Sequence, residues 1–131
     1  MKEELTNKLV KEYPEIFGDT FYFECIDGWY ALLSGLCEEI MQYCKSYKRE
    51  APTASQVKEK FGSLRFYVWH ANDDVYDIID KYELQSQYVC EQCGKPGKVQ
   101  ELGGWYSCVC DGHFIDWQKR VNERSKKWTR K

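Results

Sequence analysis

Apolar residues recur along this chain with two periods, and the change from one to the other marks out its elements. Leu5, Leu9 and Val10 lie at helical spacing in a first short amphipathic segment that should end before Pro14, because the residue ahead of a proline is pushed out of the helical region. From about Gly28 to Tyr47, apolar positions 29, 33, 36, 37, 40, 44 and 47 step by threes and fours, which predicts a longer helix with one buried face carrying Cys37 and Cys44 as core residues. Between Ala54 and Trp69 the period falls to two. Leu64, Phe66 and Val68 alternate with Arg65, Tyr67 and Trp69, and Gly62-Ser63 offers the turn of a hairpin leading back to Val57 and Glu59. Asn72-Asp73-Asp74 then provides a cap and first-turn acids for a helix that places Val75, Ile78, Ile79 and Tyr82 on one side.

After Tyr88 the pattern shortens. Lys98–Leu102 and Trp105–Val109 read as two strands joined by Gly103-Gly104, a pair that tolerates positive φ, so the chain should double back. Phe114, Trp117 and Val121 then restore helical spacing to the end of the chain. The expected fold class is therefore α+β: a helical body with a central β-hairpin, residues 1–88, closed by a zinc-finger module, residues 89–131, packed on it without a low-complexity linker.

The module carries the clearest chemistry. Cys90 and Cys93 flank a tight turn, and Cys110 and His113 stand three apart at the start of the last helix. Thiolate and imidazole donors in two such pairs can close a tetrahedral zinc shell, and amide dipoles at a helix start favour a thiolate there. Turn, hairpin and ligand-bearing helix in that order predict a treble-clef-like finger holding one structural Zn²⁺. Cys108 competes with Cys110, since it lies two residues earlier on the strand, but Cys110 pairs with His113 across one helical turn. A disulfide framework is the alternative for these cysteines. Seven cysteines leave one unpaired, and Met1-Lys2-Glu3-Glu4 leads into a polar stretch rather than a secretory leader, so a reduced, cytoplasmic setting is expected.

Charge sharpens the division. Residues 1–89 hold 10 basic against 16 acidic side chains, and residues 90–131 hold 9 against 5, giving net charges of −6 and +4. The basic excess sits in Lys119, Arg120, Arg124, Lys126, Lys127, Arg130 and Lys131, interleaved with Trp117 and Trp128. Nucleic-acid binding through this helix is one reading of that pattern, against which stands the acidic body, with pI near 5.7 overall. No apolar run approaches a membrane span. An enzyme built on Glu24, Cys25, Asp27 and His70 is a further reading, although nothing in the sequence fixes their geometry, and no phosphate-binding loop, nucleophile elbow or metalloprotease helix is present.

Three segments bear a resemblance. Phe23 to Trp29 (FECIDGW), Gln56 to Tyr67 (QVKEKFGSLRFY), and Cys90 to Gly97 (CEQCGKPG) with Cys110 and His113 are similar to small bacteriophage and prophage proteins that are largely uncharacterised. The likeness implies a Cys-x-x-His second ligand pair and the cytoplasm of a bacterial host. It also implies a protein that acts by stoichiometric binding, either inhibiting a host defence factor or sequestering a small signalling molecule. Exposed aromatic and basic residues are then the expected contacts: Tyr22, Trp69, Trp105, Tyr106, Arg120, Arg124 and Lys127.

Overall fold

The computed structural model describes residues 1–129, with side chains as far as Lys126, so the side chains of Lys127, Trp128 and Thr129 and all of Arg130 and Lys131 lie outside the described residues. The chain runs α1 (Glu3–Glu12), α2 (Pro14–Phe17), β1 (Phe23–Glu24), a 3₁₀ turn (Asp27–Trp29) leading into α3 (Tyr30–Ser46), β2 (Thr53–Lys60), β3 (Ser63–Trp69), α4 (Asp73–Ser86), β4 (Lys98–Leu102), β5 (Trp105–Val109) and α5 (Asp111–Thr129). This is an α+β architecture.

The first sheet has the order β1-β2-β3, with β1 parallel and β3 antiparallel to β2. Alternation in these strands sends Phe23, Val57, Leu64, Phe66 and Val68 to one face. There they join Leu9 and Ile16 from α1 and α2, Leu33, Leu36, Cys37 and Ile40 from α3, and Val75 and Ile79 from α4 in one buried cluster. Burying an aliphatic side chain of this size contributes about 1.5–3 kcal/mol, so this cluster is the main source of stability in the body.

β3 is an edge strand, and unpaired edge amides invite association with other chains. Here α4 covers them. Leu64 donates its backbone N–H to Ser86 Oγ at 2.9 Å, and Phe66 donates to Glu83 Oε2 at 2.8 Å. Burial pushes the Glu83 carboxyl above its usual range, while the Phe66 amide works against that rise.

Several sequence expectations need correction. The hairpin turn is Phe61-Gly62 rather than Gly62-Ser63, with φ of 53° and 82° at the two turn residues and Lys60 paired to Ser63. A two-residue turn matching strand twist wants positive φ at both positions; Gly62 supplies the second, leaving Ser63 free to pair. Tyr47 is not part of the buried stripe. It lies past the end of α3, exposed, with its ring 4.8 Å from that of Tyr43. Pro14 does end the first helix but immediately opens α2 at its first turn, where a missing N–H costs nothing. Neither α2 nor β1 was expected, because four and two residues are too short for a period to show. Asn72 caps α4 as expected, its Oδ1 accepting from Val75 N at 3.0 Å.

Replacing Ser86 by alanine should leave the Leu64 amide buried without an acceptor and cost about 1–3 kcal/mol. Equilibrium urea unfolding measures this, and an unchanged midpoint would show that the edge amide finds another partner.

Candidate metal site

Three backbone devices position the four donor side chains. The first is the turn after α4, where Cys90 N donates to Lys95 O and Gly94 N to Cys90 O, both at 2.8 Å, so Cys90 and Cys93 project from one tight loop. The second is the β4–β5 hairpin, paired from Lys98↔Val109 to Leu102↔Trp105 around Gly103-Gly104, as the sequence predicts. The third is the start of α5. Phe114 N donates to Cys110 O at 2.9 Å, which sets Cys110 at the helix N-terminus and His113 one turn on.

Together they bring Cys90, Cys93, Cys110 and His113 into one cluster whose donor atoms all lie within 4.8 Å of one another. Cys93 and Cys110 Sγ are 3.8 Å apart, His113 Nδ1 is 3.2 Å from Cys110 Sγ, and it is 3.6 Å from Cys90 Sγ. Such an arrangement suits a metal ion. Cys90 is fully buried at the base, Cys110 and His113 are half-buried, and Cys93 is exposed. The His113 backbone amide, aided by hydrogen bonds from the neighbouring donor groups, pulls the Cys110 thiol down to about 7. Around Cys93 the Lys95 amide favours the thiolate, but desolvation and the crowding of Cys90 and Cys110 outweigh it and raise that thiol.

Cys108 stands apart. It is buried with the body's core residues, opposite Val99 in the hairpin, and desolvation pushes its thiol up to about 11. Alternation along β5 would keep Cys108 and Cys110 on one side, but the strand ends at Val109 and the chain turns into α5, so only Cys110 reaches the cluster.

Sequence reasoning missed what seats this cluster on the body. Gly28 N donates to Glu91 O at 2.7 Å, Ile26 N donates to Glu91 Oε2 at 3.2 Å, and Trp29 Nε1 donates to Val89 O at 2.9 Å. Trp29 is completely buried, and a Cβ placed on Gly28 would lie 2.2 Å from Cys90 O. Glu91 is itself buried; desolvation, with Glu59 nearby, pushes its carboxyl up to about 7. The only signal was a glycine followed by tryptophan ahead of a long helix, which does not specify a contact some sixty residues away.

No family model, curated protein or solved structure matches this chain.

The other sequence-selected residues are dispersed. Trp105, Tyr106 and Arg124 share a groove between the second hairpin and α5, while Arg120 is exposed on α5 outside that lining. Tyr22 lies at the start of β1 beside Thr20, Glu24 and Gln56. Trp69 is exposed at the far end of β3, six residues from the Ser63 end that faces the module. The residues considered for catalysis do not converge. Cys25 is buried with its thiol pushed up to about 12 by desolvation, and it follows Glu24, which pairs with Lys58 beside Arg65. His70 lies just past the end of β3, five residues beyond Arg65, about 16 Å along the chain from it. Glu24 accepts from Gln56 Nε2, and Asp27 accepts from Lys2 N. Among the described residues no helix is long and apolar enough to cross a membrane.

Gly28→Ala should force the turn at Cys90 off the body, costing about 3 kcal/mol by the measure of an overpacked core and weakening metal retention with it. Gly112 gives the contrast, because a Cβ there meets nothing within 4 Å. Gly112→Ala should be neutral or stabilise α5 by up to about 1 kcal/mol. Thermal melts of the two variants, with metal content measured on each, test the pair; equal melting of Gly28→Ala and the parent would rule out the tight seating.

Proposed function

We propose that Cys90, Cys93, Cys110 and His113 hold one zinc ion in a treble-clef-like module, and that the chain acts without catalysis, as a stoichiometric binding protein of phage type directed at a host protein. The observation that carries this reading is the complete set of four protein donors. A tetrahedron with zinc bonds of about 2.3 Å to sulfur and 2.0 Å to nitrogen has edges of about 3.8 Å between sulfurs and about 3.5 Å from sulfur to nitrogen. The Cys93–Cys110 separation of 3.8 Å and the Cys90–His113 separation of 3.6 Å match those edges, and the Cys110–His113 separation of 3.2 Å is about 0.3 Å shorter than its edge. Three sulfurs and one imidazole are also the donor chemistry that zinc selects over harder cations. The bound ion would supply folding free energy and leave no open position for a substrate or an activated water.

The lean packing around the cluster supports a structural role. From Val89 to Lys126 the fully buried residues are Cys90, Glu91, Cys108 and Val109, and the stripe of Phe114, Trp117 and Val121 on α5 is only half-buried. So little apolar burial cannot by itself offset the conformational entropy of ordering nearly forty residues, at about 1–2 kcal/mol each for the backbone. Metal binding, worth on the order of 10 kcal/mol in small zinc modules, supplies much of the difference, together with the contacts at Gly28 and Trp29. Three thiolates and one divalent cation leave about one net negative charge, placed at the α5 N-terminus where the helix amides favour it. The reading takes its context, a bacterial host cell, from the resemblance of the FECIDGW and VKEKFGSLRFY segments to phage proteins.

Cys93→Ser should reduce bound zinc from one per chain to a fraction of that and lower the melting temperature, whereas Cys108→Ala should keep one zinc while losing stability through its cavity. Native mass spectrometry with thermal denaturation reads both; full zinc in Cys93→Ser would refute the ligand set. Zinc affinity should fall as pH falls, since protons compete for the thiolates, and isothermal titration at two pH values measures the protons released.

A further inference from the structure

We propose that the groove between the β4–β5 hairpin and α5 docks an acidic peptide segment carrying a bulky apolar side chain. This inference rests on the zinc reading above, because the two walls of the groove meet at the ligand Cys110. β5 runs back from that corner to Trp105, about 15 Å away, and α5 runs forward to Val121, about 16 Å away. The walls share the corner at Cys110, which the ion of that reading would hold, and the groove lies toward their far ends.

The groove is built for an apolar anchor. It encloses about 490 Å³ between Leu102, Trp105 and Tyr106 on the hairpin and Trp117, Val121 and Arg124 on the helix. Trp105 is 76% exposed and neither Trp117 nor Val121 is fully covered, so apolar surface that a folded chain ordinarily buries is left open to water. Phe61 continues the patch from the body side, its ring edge-on to Tyr106 with centroids 6.3 Å apart. It is held there in a left-handed backbone conformation, φ 53°, that a bulky residue adopts only against strain. Tryptophan, tyrosine and arginine are the residue types that dominate binding energy at protein interfaces.

Charge complementarity sets the sign of the occupant. Residues 90–131 carry a net +4 against −6 for the rest of the chain, and Arg124 stands in the groove lining as a bidentate donor for a carboxylate. A polyanionic nucleic-acid strand fits less well. Among the described residues Arg124 is the one cation in the lining, and Asp116 and Glu123 alternate with Arg120 on the neighbouring strip of α5, so those residues form no continuous cationic track along the groove. One apolar anchor and one carboxylate match what the groove presents.

The test is selection of a displayed random dodecapeptide library on the zinc-loaded full chain, followed by fluorescence anisotropy with the enriched peptides synthesised and labelled. The expected consensus joins an aromatic or large aliphatic residue to aspartate or glutamate. Affinity should fall about tenfold or more in Trp105→Ala and in Arg124→Glu. A peptide whose acid is changed to lysine should bind Arg124→Glu better than the parent protein, an outcome that misfolding cannot produce. The inference is overturned if no consensus emerges, if the consensus lacks an acid, or if binding ignores both substitutions. It is equally overturned if oligothymidylate binds more tightly than any peptide with a steep loss on added salt, which would make the groove a nucleic-acid site. Zinc measured on the same samples separates the two readings: one zinc per chain with no peptide sinks the groove alone, whereas absence of zinc sinks the metal module on which the groove depends.

Discussion

The backbone of Cys90 and Glu91 lies directly on Gly28, and the geometry of everything downstream depends on that contact. A carbonyl oxygen stands where a Cβ of residue 28 would be, the Gly28 amide donates to Glu91 O at 2.7 Å, and the adjacent Trp29 reaches from the buried core to donate to Val89 O. Each hydrogen bond contributes only about 0.5–1.5 kcal/mol net, but breaking one in a buried setting exposes the full cost of an unpaired group. These bonds therefore act more as a register lock than as a store of stability. They fix the first ligand, Cys90, to the most completely buried aromatic residue of the body.

A second close approach keeps the module from pivoting about the first. A Cβ on Gly62 would lie 2.8 Å from a Val99 methyl on β4, so the tip of the body's hairpin packs directly on that side chain of the second hairpin. The cost is visible next door. Phe61 takes a left-handed conformation that disfavours an L residue by roughly 1–2 kcal/mol. Edge-to-face contact with Tyr106 and the acceptance of the Gly62 amide by Glu59 Oε2 at 2.7 Å offset part of it. Two tight contacts, Gly28 on the backbone of Cys90 and Glu91 and Gly62 on the Val99 side chain, define the seat of the module, while the Cys and His cluster defines its interior.

What the sequence made legible follows from the range of each interaction. The β4–β5 hairpin could be read to the residue because Gly103-Gly104 specifies a turn locally and the flanking runs are too short to pair otherwise. The four-donor cluster could be read because its pairs are three residues apart, a spacing that a tight turn and a helix start each convert into a shared direction. The long stripe on α3 showed through its period, and failed only at Tyr47, where the helix had already ended. What stayed hidden was set by tertiary contact. β1 is two residues long and exists because β2 lies beside it, the turn at Phe61 is drawn by Gly62 and Tyr106 together, and Glu91 reads as a surface acid although it is buried against Ile26. The motif glycines at positions 28 and 62 were visible as letters, but the full reason for each lies partly in another stretch of the chain, the backbone of Cys90 and Glu91 for Gly28 and the Val99 side chain for Gly62.

The same contrast bears on why the proposed ion would serve the module and not the body. In the body, strands and helices converge on one cluster of large aliphatic and aromatic side chains, and burial alone scales with its size. In the last third of the chain the residues that would fill such a core are glycines, lysines and exposed aromatics, and the helix lies against its hairpin along a half-covered stripe. A cluster of four donors concentrates the cohesion of that region at a single corner, which frees the remaining apolar surface from the work of folding. With an ion held there, Trp105 and Trp117 could stay open to water without loss of the fold, because the corner at Cys110 would not rely on them.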